Sequence, residues 1–212
     1  MTERIEHLLR GEREFASGRG AIPWLAIVVV VALFGAAHGA LIGSFTLRAE
    51  QALYSALKLP LLIACSTAMC LPSFYAINSV MGLRDDFSAA LRGVLCAQAI
   101  VAVVLASLAP IVLLIYLSSD SYRGAVLVNG LAFCAASLCG QFALARHFRP
   151  LIARNRRHAL ACGAWLALYW FVTIQLAWVL RPFVGAPGME PTFLRPQAWS
   201  NAYVALARAF LM

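Results

Sequence analysis

An all-α, polytopic transmembrane helix bundle of about five spans is the fold class this sequence predicts, and three observations carry the prediction. The 212 residues are 62% hydrophobic and only 12% charged, the mean hydropathy is +0.81, and the charges are gathered into short stretches. A soluble domain of this length needs far more ionisable surface. Between the charged stretches lie five charge-free runs, Gly20 to Leu47, Leu59 to Leu83, Gly93 to Ser119, Gly124 to Ala145 and Ala159 to Leu180. About 20 apolar residues suffice to cross the hydrocarbon as a helix, so each run can span. The spans are expected at 22–46, 59–82, 94–118, 124–145 and 159–180, within a transmembrane domain of residues 20–180.

Ahead of the first span, residues 1–19 read as an amphipathic segment. Ile5, Leu8 and Leu9 form an i, i+3, i+4 stripe flanked by charge, as in a helix lying along a membrane surface. The apolar run that follows is longer than the ~7–15 residues of a signal peptide core, and is expected as an uncleaved first span. Within it, Gly35, Gly39 and Gly43 recur every fourth residue. Small residues at this spacing let helix backbones approach closely, against a neighbour in the chain or against a second protomer. His38 lies beside that face, and a histidine at membrane depth is costly when charged.

Leu47 to Leu57 shows a second amphipathic pattern, with Leu47, Leu53, Tyr54 and Leu57 set against Arg48, Glu50 and Gln51. It is expected as another surface helix, broken from the second span at Lys58–Leu59–Pro60, because proline removes a helical donor and restricts its neighbour. Asn78 in span two, Gln98 in span three, Asn129 in span four and Gln175 in span five join His38 as candidates for a polar path or a buried network, with Ser137, Gln141 and Thr173 nearby. The six cysteines fall within predicted spans and read as small packing residues. Most tryptophans and tyrosines stand near span ends, as amphipathic rings do at the interface.

The connector between spans four and five concentrates Arg146, Arg149, Arg154, Arg156 and Arg157, a candidate contact for anionic lipid headgroups. With five spans, this connector shares a side with the arginine-bearing N-terminus. The positive-inside rule then puts the N-terminus in the cytoplasm and the C-terminus outside, in a bacterial inner membrane. Residues 181–212 hold prolines and glycines among apolar residues, and are expected as an ordered extracytoplasmic tail with a short helix near 200–210. Phe183, Phe193, Trp199, Tyr203 and Phe210 are its candidate docking residues; the simpler expectation is a cap over the bundle itself.

Lys58–Leu59–Pro60 entering span two, and Gly82–Leu83–Arg84–Asp85–Asp86–Phe87–Ser88–Ala89–Ala90–Leu91 before span three, resemble the entry pattern of the Yip1-like five-span membrane proteins, including their bacterial branch. The resemblance covers Leu59 to Leu180. It implies the span count and, for the eukaryotic members, an association with membrane trafficking. The family's acidic, glycine and proline signature before the first span is absent, and residues 181–212 are additional to the pattern.

No span carries an acidic residue, and the sequence holds no His-Glu-x-x-His motif and no glycine-rich phosphate loop. No catalytic residue, metal site or cofactor is therefore expected, and nucleic acid is not an expected partner despite the formal charge of +8. The leading expectation is a noncatalytic membrane scaffold or assembly subunit. It would bind protein or lipid, as a homo-oligomer or within a complex. A channel or small-solute transporter is the alternative, and a membrane-embedded enzyme the third.

Overall fold

The computed structural model describes residues 24–194 and 202–204. Five helices follow one another: α1 (Trp24–Gly43), α2 (Ala49–Val80), α3 (Phe87–Ser118), α4 (Tyr122–Arg154) and α5 (Arg157–Val179), with a 3-10 turn at Ser44–Thr46 after α1. All five are long and apolar enough to cross a membrane, and the chain is a multi-pass membrane protein. The N-terminal amphipathic segment, Trp199 and Phe210 lie outside the described residues.

Three of the connections have local causes. After α2, Gly82 takes φ +73°, the Leu83 amide donates to Asn78 O at 2.8 Å and the Gly82 amide to Ser79 O at 3.1 Å. These paired bonds satisfy the last carbonyls of the helix. Ahead of α4, Ser121 Oγ accepts from the Gly124 amide at 3.2 Å, capping free donors of the first turn. Asn155 Oδ1 accepts from the Arg157 amide at 3.0 Å, where α5 begins.

Helix α1 packs mainly on α2 and α3, α3 on α4, and α2 on α5, while α4 and α5 meet more sparingly. The glycine face resolves which neighbour it serves. A Cβ at Gly39 would stand 2.3 Å from Ser55 O, and one at Gly43 2.5 Å from Gln51 O. The backbone of α2 occupies that face, leaving no space there for a second protomer. Gly35 lies against the Pro60 ring.

The structure corrects the expected break at Pro60. Helix α2 runs unbroken from Ala49 through Pro60 and Pro72 to Val80, so residues 49–57 are the first turns of the spanning helix and not a separate surface helix. Proline removes a single donor, and packed neighbours hold the rest of the helix in place. Leu47, Leu53 and Leu57 are exposed, whereas Gln51, Ser55 and Lys58 are buried. The amphipathic pattern is partly inverted: its leucines face outward, although Glu50 does so too, while Gln51 faces the protein and Tyr54 packs on Phe193. Similarly, α4 continues through Pro150 to Arg154, which places Arg146 and Arg149 on the helix instead of in a loop.

One core cluster, including Ile42, Leu59, Leu62, Leu105 and Val112, lies toward the end where residues 181–194 fold, called here the tail end. A second, built on Phe74, Leu144, Phe148 and Trp165, lies toward the opposite, arginine end.

Candidate functional site

At the tail end, Gln51, Ser55 and Lys58 stand on one face of α2, spaced i, i+4 and i+7. They grip the backbone of the tail. Lys58 Nζ donates to Pro182 O and to Thr192 O, both at 2.8 Å. Gln51 Nε2 donates to Pro182 O at 3.2 Å and Phe183 O at 3.1 Å, and the Ser55 hydroxyl donates to Phe183 O at 2.6 Å. Lys58 is fully buried; its ammonium also lies 5.5 Å from the Phe193 ring centroid and 6.0 Å from that of Tyr54. An irregular, proline-rich segment has carbonyls with no ladder of N–H donors to satisfy them. Here α2 supplies the donors, and Arg48 adds one more through its bond to Met189 O.

Aromatic packing completes the cap. Phe193 meets Tyr54 edge-on at 5.6 Å, and Phe183 packs against the tail-end core. Tyr203 stacks on Phe171 at 4.8 Å and donates its hydroxyl to Phe171 O at 2.6 Å. Of the five candidate docking residues, these three contact their own bundle.

Beneath the cap, a cleft of about 490 Å³ opens between α4 and α5. Phe133 and Trp178 contribute its apolar walls, and Phe183 and Ala202 come from the tail. Ser137, Gln141 and Thr173 are its polar positions, and Arg181 stands at the tail end. The Arg181 guanidinium lies 4.7 Å from the Trp178 ring centroid. Gln141 Oε1 is buried with no hydrogen-bond partner.

No protein-family model, curated protein or solved structure matches this chain.

Four of the five polar candidates hydrogen-bond, each in a different place. Asn78, close to the arginine end of α2, donates to Phe74 O of its own helix at 2.8 Å. Gln98 Oε1 accepts from the Tyr169 hydroxyl at 2.8 Å, joining α3 to α5. Asn129 donates to Tyr116 Oη at 2.5 Å and to Ala125 O at 2.7 Å, and Tyr116 donates in turn to Ile42 O at 3.4 Å. Gln175 Oε1 accepts from the Ala202 amide at 3.1 Å, pinning the second stretch of tail. His38 is fully buried with no hydrogen bond to either ring nitrogen; its ring stands edge-on to Phe133 at 6.2 Å.

At the arginine end, Asp86 accepts from Arg154 at 3.3 Å and pairs with His158 Nε2 at 3.1 Å. Arg157 donates to Met81 O at 3.1 Å. Two arginines of the patch thus tie the α2–α3 turn to the α4–α5 junction, while Arg146, Arg149 and Arg156 are exposed. Among the described residues, no three His, Cys, Asp or Glu side chains gather where they could hold a metal ion.

Sequence reasoning missed the Lys58 clamp and the α4–α5 cleft. The clamp had a signal: three polar positions on one face of a helix, and a tail rich in prolines whose carbonyls need donors. The cleft had none, because it depends on how far apart two helices stand.

Proposed function

We propose that this chain is a noncatalytic membrane scaffold or assembly subunit whose working surface is the tail-end cap. The observation that carries the reading is the fully buried Lys58 bonded to two tail carbonyls. Taking an ammonium group out of water costs several kcal/mol unless strong bonds replace its hydration. Here the replacement bonds go to main chain, so this charge holds a segment in shape and carries out no reaction. The cap so fixed exposes apolar side chains, Met189 at 67% and Leu194 at 47%, a surface suited to association with a second copy or with a membrane complex.

The polar residues of the spans support the same choice over a solute path. Gln98 and Asn129 each bridge two helices, Gln175 holds the tail and Asn78 bonds within its own helix, which is the local use of polar groups that helix packing in a membrane makes. We place the protein in a bacterial inner membrane, with the arginine end cytoplasmic and the tail end outside, on the asymmetry of the arginines. The resemblance to Yip1-like five-span proteins agrees with the helix count.

Energy transfer between two differently labelled populations, reconstituted together in liposomes, tests the reading. Association is expected for the wild-type chain and is expected to fall when Lys58→Met releases the cap, with no solute flux in either sample. A wild-type chain that stays monomeric and conducts a solute would overturn it.

A further inference from the structure

We propose that the cleft between α4 and α5 is a site for one anionic phospholipid, its acyl chain between the helices and its phosphate on Arg181. This deepens the scaffold reading by naming a lipid partner, and it uses the tail-end cap as a wall.

The dimensions agree with a lipid of one leaflet. Along α4 the lining runs from Gln141 to Gly130, which at about 1.5 Å per residue is roughly 16 Å. That is about half of a hydrocarbon core ~30 Å thick. In length the cleft matches one leaflet, and Arg181 stands at its tail end, where the phosphate of a lipid of that leaflet would lie. The volume of about 490 Å³ falls within the range of small-molecule sites, ~300–1,000 Å³.

The charge is fixed as well as present. Stacking on Trp178 orients the Arg181 guanidinium and leaves its planar donors for an anion, which they can meet two at a time. The cleft is open because α4 presents Gly130, where an added Cβ would meet nothing within 4 Å. In water such a gap would be a destabilising void; in a bilayer a neighbouring acyl chain can fill it. Gln141 Oε1, without a partner in the deeper part, defines the rival occupant: a molecule carrying a hydrogen-bond donor there, such as a quinol.

The test uses the full chain in nanodiscs of phosphatidylethanolamine and phosphatidylglycerol, with bound lipid counted by native mass spectrometry after stepwise delipidation. One phosphatidylglycerol is expected to persist. Arg181→Gln is expected to lower its preference over phosphatidylethanolamine about tenfold. Gly130→Phe, which fills the cleft from an unobstructed position, is expected to remove either lipid while leaving protease resistance of the cap unchanged. That last readout separates failure of the lipid site from failure of the scaffold reading.

A second measurement needs no variant. Cys134 lines the cleft, whereas Cys65 and Cys139 are exposed on the helices outside its lining. Added phosphatidylglycerol should slow maleimide labelling of Cys134 relative to those two. Equal rates, retention of phosphatidylglycerol by Gly130→Phe, an unchanged lipid preference in Arg181→Gln, or a co-purifying quinol displaced by Gly130→Phe would each overturn the proposal.

Discussion

At the tail end a fully buried lysine binds backbone carbonyls of a distant segment, whereas at the arginine end the ionic groups bind each other near the surface. Lys58 has no exposed area, but the Arg154 side chain is 73% exposed beside an Asp86 that is 28% exposed. The comparison teaches where rigidity comes from. A buried donor shared between two carbonyls of a distant segment enforces one geometry, while an exposed pair can exchange its partner for water at little loss. The two ends should therefore respond very differently to single substitutions.

The largest effect is expected from Lys58→Met, which leaves Pro182 O and Thr192 O without their shared donor. Unmade buried bonds of this kind cost about 3 kcal/mol together. Thermal unfolding in detergent should show that loss, accompanied by protease cleavage within 183–190; a variant as stable and as resistant as the wild type would break the contrast between the ends. Next is Gly39→Ala, whose methyl would press on Ser55 O and separate α1 from α2, at about 2 kcal/mol. Substitution at Gly130, on an open surface, should have no such effect, and equal melting shifts for the two alanine variants would contradict the packing described.

Asp86→Asn sharpens the comparison from the other side. It weakens the bonds to Arg154 and His158 at once, and about 1 kcal/mol is expected because one partner is buried and the other exposed. Arg154→Gln alone should cost less than about 0.5 kcal/mol and lose even that in high salt. A salt-insensitive loss of the size expected for Lys58 would show that the arginine end is held as rigidly as the tail end.

Much of the fold was legible because a bilayer admits few solutions. Charge-free runs of sufficient length each became a helix, and the glycine repeat marked the closest helix contact. What stayed hidden concerns which way a face points. Leu53 and Leu57 against Gln51 looked like a helix floating on a membrane surface, because in water-facing proteins apolar residues go inward. In a span the outside is hydrocarbon, so the same alternation can be turned over, leucines to lipid and glutamine to protein. Pro60 misled for a related reason: its ring fits against Gly35, and the helix continues past the missing donor.

The candidate site was less legible still. In the sequence Lys58 marks the end of an element, since nothing local reveals that residues more than 120 positions away bring carbonyls to it. His38, Asn78, Gln98, Asn129 and Gln175 stood out by polarity alone, but polarity does not say which residues meet. Ser137, Gln141 and Thr173 were visible as polar residues, and only the separation of α4 from α5 makes them walls of one cleft.

The most direct test is hydrogen exchange at the amides between Phe183 and Glu190, measured in nanodiscs for the wild-type chain and for Lys58→Met. A clamped cap predicts slow exchange that becomes fast in the variant, while the α4–α5 junction at the arginine end keeps its wild-type rates. Fast exchange in the wild-type tail, or slow exchange that survives the loss of the lysine, would contradict the claim that α2 holds this segment in place.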